Sequence, residues 1–353
     1  MKLLSVVSCQ LSVVIGFCSA SSSPEPVAHV NEPSGSVSKQ MPKDQGPRTK
    51  DKFAVIISGV GGDPEFTKRF AGWTEAMCGL LRHQLDFAED AIFYLTPAPP
   101  ETARPTTVTA MAAEVRSVFE QLKMKARPHS LIFVFLIGHG SFENQQAKFN
   151  LIGPDLTAED FDRMLDALPT QNVILVNAAS ASGAFINALS QPGRVVITAT
   201  RSGHERNATT FAEYFIQAFK DDQADFDKNH RVSLLEAFNY AAKTTAQWYE
   251  QEGRLATEHA LLDDNGDKVG HGEATEGDGA LARTPYLDSR PFVPAAGDPE
   301  VQKLMAERER LERAIEALKA RKAEVNAAAY DAELERLLIR LAQVNQKIKA
   351  RQP

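Results

Sequence analysis

Three groups of residues have types and spacings that can carry chemistry. His139 stands between Gly138 and Gly140, directly after the seven apolar residues Leu131–Ile137. Ser180 lies in Ala178-Ala179-Ser180-Ala181-Ser182-Gly183, directly after Asn172-Val173-Ile174-Leu175-Val176-Asn177, a short apolar run bounded by two asparagines. A hydrolase with a side-chain nucleophile needs that nucleophile, a base within hydrogen-bond reach and backbone N–H groups for the oxyanion. His139 can serve as the base and Ser180 as the nucleophile, with the N–H groups of Gly140 and Ser180 as the oxyanion site. The third group is Asp225, Asp227, Asn229, Ser233 and Glu236. Their spacing is that of ligand positions 1, 3, 5, 9 and 12 of a calcium loop. His230 stands where that template demands Gly.

The elements that must position these groups follow from the hydrophobic pattern. An unbroken apolar run rich in Ile, Val and Phe and closed by Gly predicts a strand buried on both faces. Residues 53–57, 91–95, 131–137, 172–177 and 194–200 fit that pattern or a shorter form of it. Between them, helical spacing recurs, as in Trp73, Met77, Leu80 and Leu81, and again over residues 108–124 and 208–219. Thr157-Ala158-Glu159-Asp160 reads as a capping box without its final Glu, opening a helix through Leu168. Residues 149–152 predict a short strand of an edge hairpin. Strands alternating with helices give an α/β fold with a parallel sheet and right-handed crossovers. Ligands bind such sheets outside the carboxyl ends of the strands, where the strand order reverses. If the 131–137 and 172–177 strands are neighbours, His139 and Ser180 face one crevice.

The chain has 353 residues, 43% of them hydrophobic, enough for one sizeable core with additions. Its net charge of −7, without a large basic block, argues against a nucleic-acid partner. Residues 1–20 read as a secretory signal: Lys2, an apolar stretch, then Cys18-Ser19-Ala20 as a small-residue cleavage site. That makes the protein an exported one, periplasmic or extracellular. The apolar stretch is too short and interrupted for a membrane span, and no other segment of the sequence is apolar enough for one. Residues 21–50 are rich in Ser, Pro, Gly and Lys and predict a disordered linker. The mature chain keeps only Cys78, so it forms no internal disulfide and has no Cys cluster for zinc. Cys78 falls inside a helical pattern, where a free Cys is a small buried hydrophobe.

Ile137-Gly138-His139-Gly140-Ser141, followed by Asn177 through Gly183 at the end of the next core strand, resembles the caspase–legumain superfamily of cysteine peptidases (clan CD). The legumain-like branch is the most similar. The resemblance covers residues 51–220 and implies a caspase-like three-layer sandwich with a mainly parallel central sheet, in a domain spanning 51–290. It also implies endopeptidase activity on a peptide or protein substrate, with no required cofactor. That family places its His in a Gly-His-Gly-Ser turn and its nucleophile in an Ala-Cys-x-Ser-Gly turn. Laid over this chain without gaps, the second turn is Ala179-Ser180-Ala181-Ser182-Gly183. Ser180 therefore stands where the family has Cys, and Ser182 is the weaker nucleophile candidate because it matches the family's Ser beside Gly.

The substitution leaves two readings. A thiol near neutral pH is already partly thiolate, whereas a serine hydroxyl needs a tightly placed base. Ser180 is either a serine nucleophile activated by His139, or the mark of a catalytically inactive pseudopeptidase that binds peptides or serves as a scaffold. For substrate contacts, the loop from Gly61 through Arg69 should overhang the crevice. Lys68 or Arg69 can there read an acidic or amide side chain, and Arg201 belongs to a second candidate wall, residues 201–206.

Two features lie outside the resemblance. Calcium is the one cofactor the acidic loop suggests, and Asp263-Asp264-Asn265-Gly266-Asp267 is a second acidic turn of similar character, of a composition that also simply makes turns. Leu304, Arg308, Leu311, Ile315, Leu318, Lys322 and Val325 recur at alternating four- and three-residue spacing, apolar except for Arg308 and Lys322, and the pattern resumes with Leu334, Leu338, Leu341 and Ile348. This predicts a helical, coiled-coil hairpin over 298–351 that folds on itself, docks on the main domain, or pairs with another chain.

Overall fold

Seven consecutive buried residues form the first strand, β1 (Lys52–Ser58). Its β-branched run Val55-Ile56-Ile57 suits a pleated surface covered on both sides. The computed structural model describes residues 51–100, 106–229, 231–273, 278–283, 287–288, 299–320 and 326–349. The expected signal peptide (1–20) and linker (21–50), and the end of the Pro-rich loop (101–105), lie outside them, as does His230.

From β1 the chain runs into α1 (Pro64–His83), whose start is fixed by Pro64 and by Asp63, whose side chain accepts the Phe66 N–H. Next come β2 (Ile92–Thr96), β3 (Thr107–Thr109), α2 (Ala112–Lys125) and β4 (Leu131–Ile137). The expected helix from residue 108 starts later, because residues 107–109 first pair in parallel with β2. After β4 the chain forms β5 (Gly140–Glu143), β6 (Gln146–Phe149) and β7 (Leu156–Thr157), a separate three-stranded sheet with a β5–β6 hairpin whose second strand ends at Phe149, where the strand expected over 149–152 would have begun. Helix α3 (Ala158–Asp166) has a complete capping box, since the Asp160 carboxylate reaches back to the Thr157 N–H as a Glu would. Then follow β8 (Val173–Asn177), a 3₁₀ turn at Ser182–Phe185, α4 (Ile186–Leu189), β9 (Arg194–Thr198), α5 (Phe211–Ala218), α6 (Leu234–Gln251) and β10 (Leu261–Asp263).

The central sheet has seven strands in the order β10-β9-β8-β4-β1-β2-β3. All pairs are parallel except β10 with β9. Alternate residues of each strand enter opposite cores. Ala54, Ile56, Phe133 and Phe135 pack with Phe70, Met77, Phe215 and Phe238 of α1, α5 and α6. Val55, Ile57, Val134 and Leu136 pack with Val115, Phe119, Phe161 and Leu165 of α2 and α3. The result is a three-layer α/β sandwich. The chain leaves β1 first towards β2 and β3, then crosses to β4, β8 and β9, so the strand order reverses between β1 and β4. The crevice at that switch point lies between the segments that follow these two strands.

Lys52 carries a bond the sequence did not suggest. Its Nζ is buried at the start of β1 and donates to the carbonyls of Leu85 (2.6 Å) and Leu287 (2.7 Å). Burial lowers its pKa to about 8, against the opposing pull of Asp288 and Asp86. At the carboxyl end of the chain, α7 (Pro299–Ala320) and α8 (Ala327–Lys349) pack on each other through Leu304, Leu311, Ile315, Leu337, Val344 and Ile348. Among the described residues no helix is long and apolar enough to cross a membrane.

Candidate active site

The carboxyl ends of β1, β4 and β8 deliver the site. β1 and β4 pair through to Ser58 and Ile137, and β4 and β8 through to Leu136 and Asn177. His139 and Ser180, each a few residues past those ends, therefore emerge side by side. The contact between their segments is direct: the Ser180 hydroxyl accepts the Gly140 N–H and donates to the Gly140 carbonyl, both at 3.1 Å. This approach requires Gly140 to be glycine. A Cβ there would lie 2.4 Å from the Ser180 carbonyl oxygen and 2.9 Å from that of Lys148, both fixed backbone atoms.

His139 is held on three sides. Its Nε2 lies 3.2 Å from the Gly61 carbonyl. A carbonyl only accepts, so Nε2 carries the proton, and in the neutral ring Nδ1 keeps its lone pair. Phe66 and Phe70, one helical turn apart on α1, meet the imidazole edge-on with centroids at 4.9 and 5.0 Å. Burial lowers the pKa of His139, while the Gly61 carbonyl and Asp63 oppose that shift. The ring is therefore neutral at pH 7, the state a base requires.

Ser180 is 2% exposed and, among the described residues, its hydroxyl bonds only to Gly140. No hydrogen bond joins it to His139. Its own N–H has no acceptor among the described residues. Ala181, next in the chain, has φ of 55° and donates its N–H to the Glu205 carbonyl at 2.8 Å. A left-handed non-glycine residue beside the candidate nucleophile is local backbone strain held by its surroundings. Ser182 is used differently. Wholly buried, its hydroxyl accepts from the N–H groups of Ala199 and Thr200 at 3.1 Å and contacts the Thr200 hydroxyl. It staples the turn after β8 to the end of β9.

The candidate substrate contacts separate. Lys68 and Arg69 lie on α1, not in a loop, because the capped helix already begins at Pro64. Lys68 falls on the far side of that helix from Phe66 and Phe70, two residues being about 200° of helical turn. Arg69 pairs with Glu65 at 2.9 Å and lies over the Phe66 ring, which itself touches His139. Arg201 is exposed and pairs with Glu205 at 3.0 Å. Glu205 also takes the ring and main-chain N–H of His259, at 2.6 and 3.1 Å. Glu205 and His259 were not singled out from sequence. Glu205 lies inside the 201–206 wall, but nothing in the spacing links it to His259, 54 residues on. The same wall touches the β5–β6 hairpin, where Arg206 donates to the Phe142 carbonyl at 2.9 Å and Phe142 packs on Gly203 and His204.

The acidic loop lies just before α6. Asp225, Asp227 and Glu236 each offer a carboxylate oxygen within 4.8 Å of the others. Ser233 and Glu236 form the capping box of α6, and the Asn229 side chain donates to Asp227. Burial raises the pKa of Asp227, with Glu236 and Asp225 adding to the rise and Arg308 opposing it. These carboxylates with Asn229 form an oxygen donor set suited to a hard cation.

Residues 109–262 match the model of the Peptidase C13 family. That segment runs from the end of β3 into β10 and holds His139, Ser180 and the acidic loop. The match supports the caspase/legumain superfamily and a legumain-like peptidase family. No curated protein matches the chain. Solved structures similar to it include the crystal structure of protein GSU0716 from Geobacter sulfurreducens, at 10% identity. The alignment covers 62% of this chain and 95% of that one, with a TM-score of 0.39.

Proposed function

We propose that the crevice between the ends of β1, β4 and β8 is the active site of an endopeptidase of legumain type, with Ser180 as nucleophile and His139 as base. The observation that carries this reading is the 3.1 Å contact between the Ser180 hydroxyl and the Gly140 N–H, one residue from a histidine held neutral and in one tautomer. In this reading Ser180 turns from the Gly140 carbonyl and gives its proton to Nδ1 of His139. The oxygen attacks the peptide carbonyl, and the N–H groups of Gly140 and Ser180 meet the oxyanion. The imidazolium then protonates the leaving amine, and water completes hydrolysis of the acyl-enzyme by the reverse sequence. The protein acts outside the cytoplasm, as its leader suggests.

One observation favours a second reading, a pseudopeptidase that binds an extended peptide without cutting it. The Ser180 hydroxyl is bonded to Gly140 and not to His139, and a serine without a hydrogen-bonded base is a poor nucleophile. A proteome-derived peptide library, read by mass spectrometry, decides between the two. Cleavage by the native chain and none by Ser180→Ala establishes the serine enzyme. Silence from both, with cleavage by Ser180→Cys, establishes a competent frame that lacks only the thiol. Silence from all three excludes the peptidase.

The acidic loop is proposed as a calcium site, with Asp225, Asp227, Asn229, Ser233 and Glu236 as its side chains. The cluster of three carboxylates supports this.

A further inference from the structure

Ala181 follows Ser180 in the chain, and its backbone is in a conformation that alanine does not choose. With φ at 55° it lies in the left-handed region, and it is 1% exposed. Glycine takes that region freely, whereas an alanine there is held by its surroundings. Among the described residues its N–H bonds to the main-chain carbonyl of Glu205, at 2.8 Å. The peptide that joins Ser180 to Ala181 is thus aimed by the loop after β9.

What fixes that loop is the Glu205 carboxylate, whose side chain is 11% exposed. Arg201 donates to it twice, through its main-chain N–H at 2.9 Å and its Nε at 3.0 Å. His259 also donates twice, through its main-chain N–H at 3.1 Å and its Nδ1 at 2.6 Å. Each carboxylate oxygen takes one donor from each partner. A carboxylate only accepts, so Nδ1 of His259 carries a proton. An amide in its place would offer one acceptor oxygen and turn its own N–H groups towards two of these donors.

His259 belongs to the segment between α6 and β10. Its neighbour Glu258 accepts the N–H groups of Thr210 and Phe211 at the start of α5, at 2.7 and 3.1 Å. Two successive residues of one distant segment therefore pin the β9–α5 connection, at Glu205 and at its far end. The connection lies hard against the nucleophile turn: a Cβ on Gly183 would come within 2.3 Å of both the Arg201 carbonyl carbon and the Ser202 nitrogen. We infer that Glu205 is a positioning residue for the nucleophile, and that His259 holds it in place. The carboxylate fixes the loop, the loop's carbonyl keeps Ala181 left-handed, and Ala181 keeps the Ser180 side chain at Gly140 beside His139. This rests on the reading of Ser180 as nucleophile. Glu205 acts through Ala181 and not on the reacting atoms.

The test uses the full chain with Ser180→Cys. Alkylation of the introduced thiol by iodoacetamide is followed across pH, by mass spectrometry of the peptide that carries residue 180. The reactive thiolate is favoured by the Gly140 N–H and by His139, and both need the side chain in place. Adding Glu205→Gln is expected to slow alkylation at neutral pH by about tenfold, since a misplacement of about 1 Å at a reacting group costs up to about a hundredfold. His259→Leu, which fills the ring's space without its donor, is expected to do the same. His259→Asn, which keeps a side-chain N–H near the Nδ1 position, is expected to restore most of the rate. Equal rates and pH profiles with and without Glu205→Gln overturn the inference. So do equal losses in His259→Leu and His259→Asn that merely follow a lowered melting temperature. Alkylation needs no peptide cleavage, so a chain that cuts nothing while its thiol still depends on Glu205 refutes the proposed activity and supports the positioning.

Discussion

His139 and Ser180 illustrate how a single side chain is tuned by what touches it. Two phenylalanines and a carbonyl fix the imidazole as a neutral base, and burial is the largest cause of its lowered pKa. If it is the base, kcat/KM falls on the acid side through a pKa below the ordinary histidine value. Phe70→Ala, which admits water to the ring, moves that limb upward towards the ordinary value. A limb that stays fixed in the variant would remove burial as its cause. The stability linkage has the same direction. A folded-state pKa below the unfolded one gives stability that is present above the ordinary value and is lost as pH falls through the folded one. Two residues along, Ser182 shows the same hydroxyl put to another use. Its two accepted N–H bonds, buried at the end of β9, belong to structure and not to chemistry.

At the scale of elements, the crevice depends on how β8 and β9 are held in register behind it. Arg194 opens β9 and is 1% exposed, yet it reaches α3 through Asp162 (2.7 Å) and Asp166 (2.6 Å) and also bonds Gln171. It ties strand, helix and the loop before β8 together on the face opposite α1, α5 and α6. Arg194→Met keeps the apolar stem but removes the charged partner of Asp162 and Asp166, which keep only the Gln191 amide as a side-chain donor among the described residues. Breaking a buried pair by removing one member costs about 3–5 kcal/mol. Here Asp166 is half exposed and can rehydrate, so the expected loss is about 3 kcal/mol, read as a lower denaturant midpoint with unchanged slope. A loss under about 1 kcal/mol would show that the ion pairs contribute little beyond the stem's packing.

Across the whole molecule, the helical hairpin meets the α/β body at the acidic loop. Arg308 of α7 bonds Asp227 at 3.0 Å, beside Asp225 and Glu236. A guanidinium in that position both stabilises the cluster and competes with a divalent cation for it. Arg308→Gln is therefore expected to lower the melting temperature without calcium and to enlarge the shift that calcium produces. The affinity of the loop should rise severalfold, for an ion-pair worth of about 1 kcal/mol at partly exposed groups. An unchanged or smaller calcium shift would mean that Arg308 does not compete.

The sequence by itself determined the alternation of strands and helices, the buried parallel sheet and the two turns that bear His139 and Ser180. It could do so because strands buried on both faces must be continuously apolar, and because a histidine between glycines breaks such a run abruptly. The capping role of Asp160 was half legible, since only the Thr end of the box was of the preferred type. The tertiary structure alone decided what each group faces. The bond of His139 to Gly61, its contact with Phe66 and Phe70, and the pairing of Glu205 with His259 join segments with no fixed spacing between them. The start of α1 likewise moved Lys68 and Arg69 out of a loop and turned Lys68 away from the ring, because a cap at Asp63 begins the helix before them. Local pattern fixes which residues are buried and which end an element. Which hydroxyl meets which base depends on strand order and register, which local pattern does not encode.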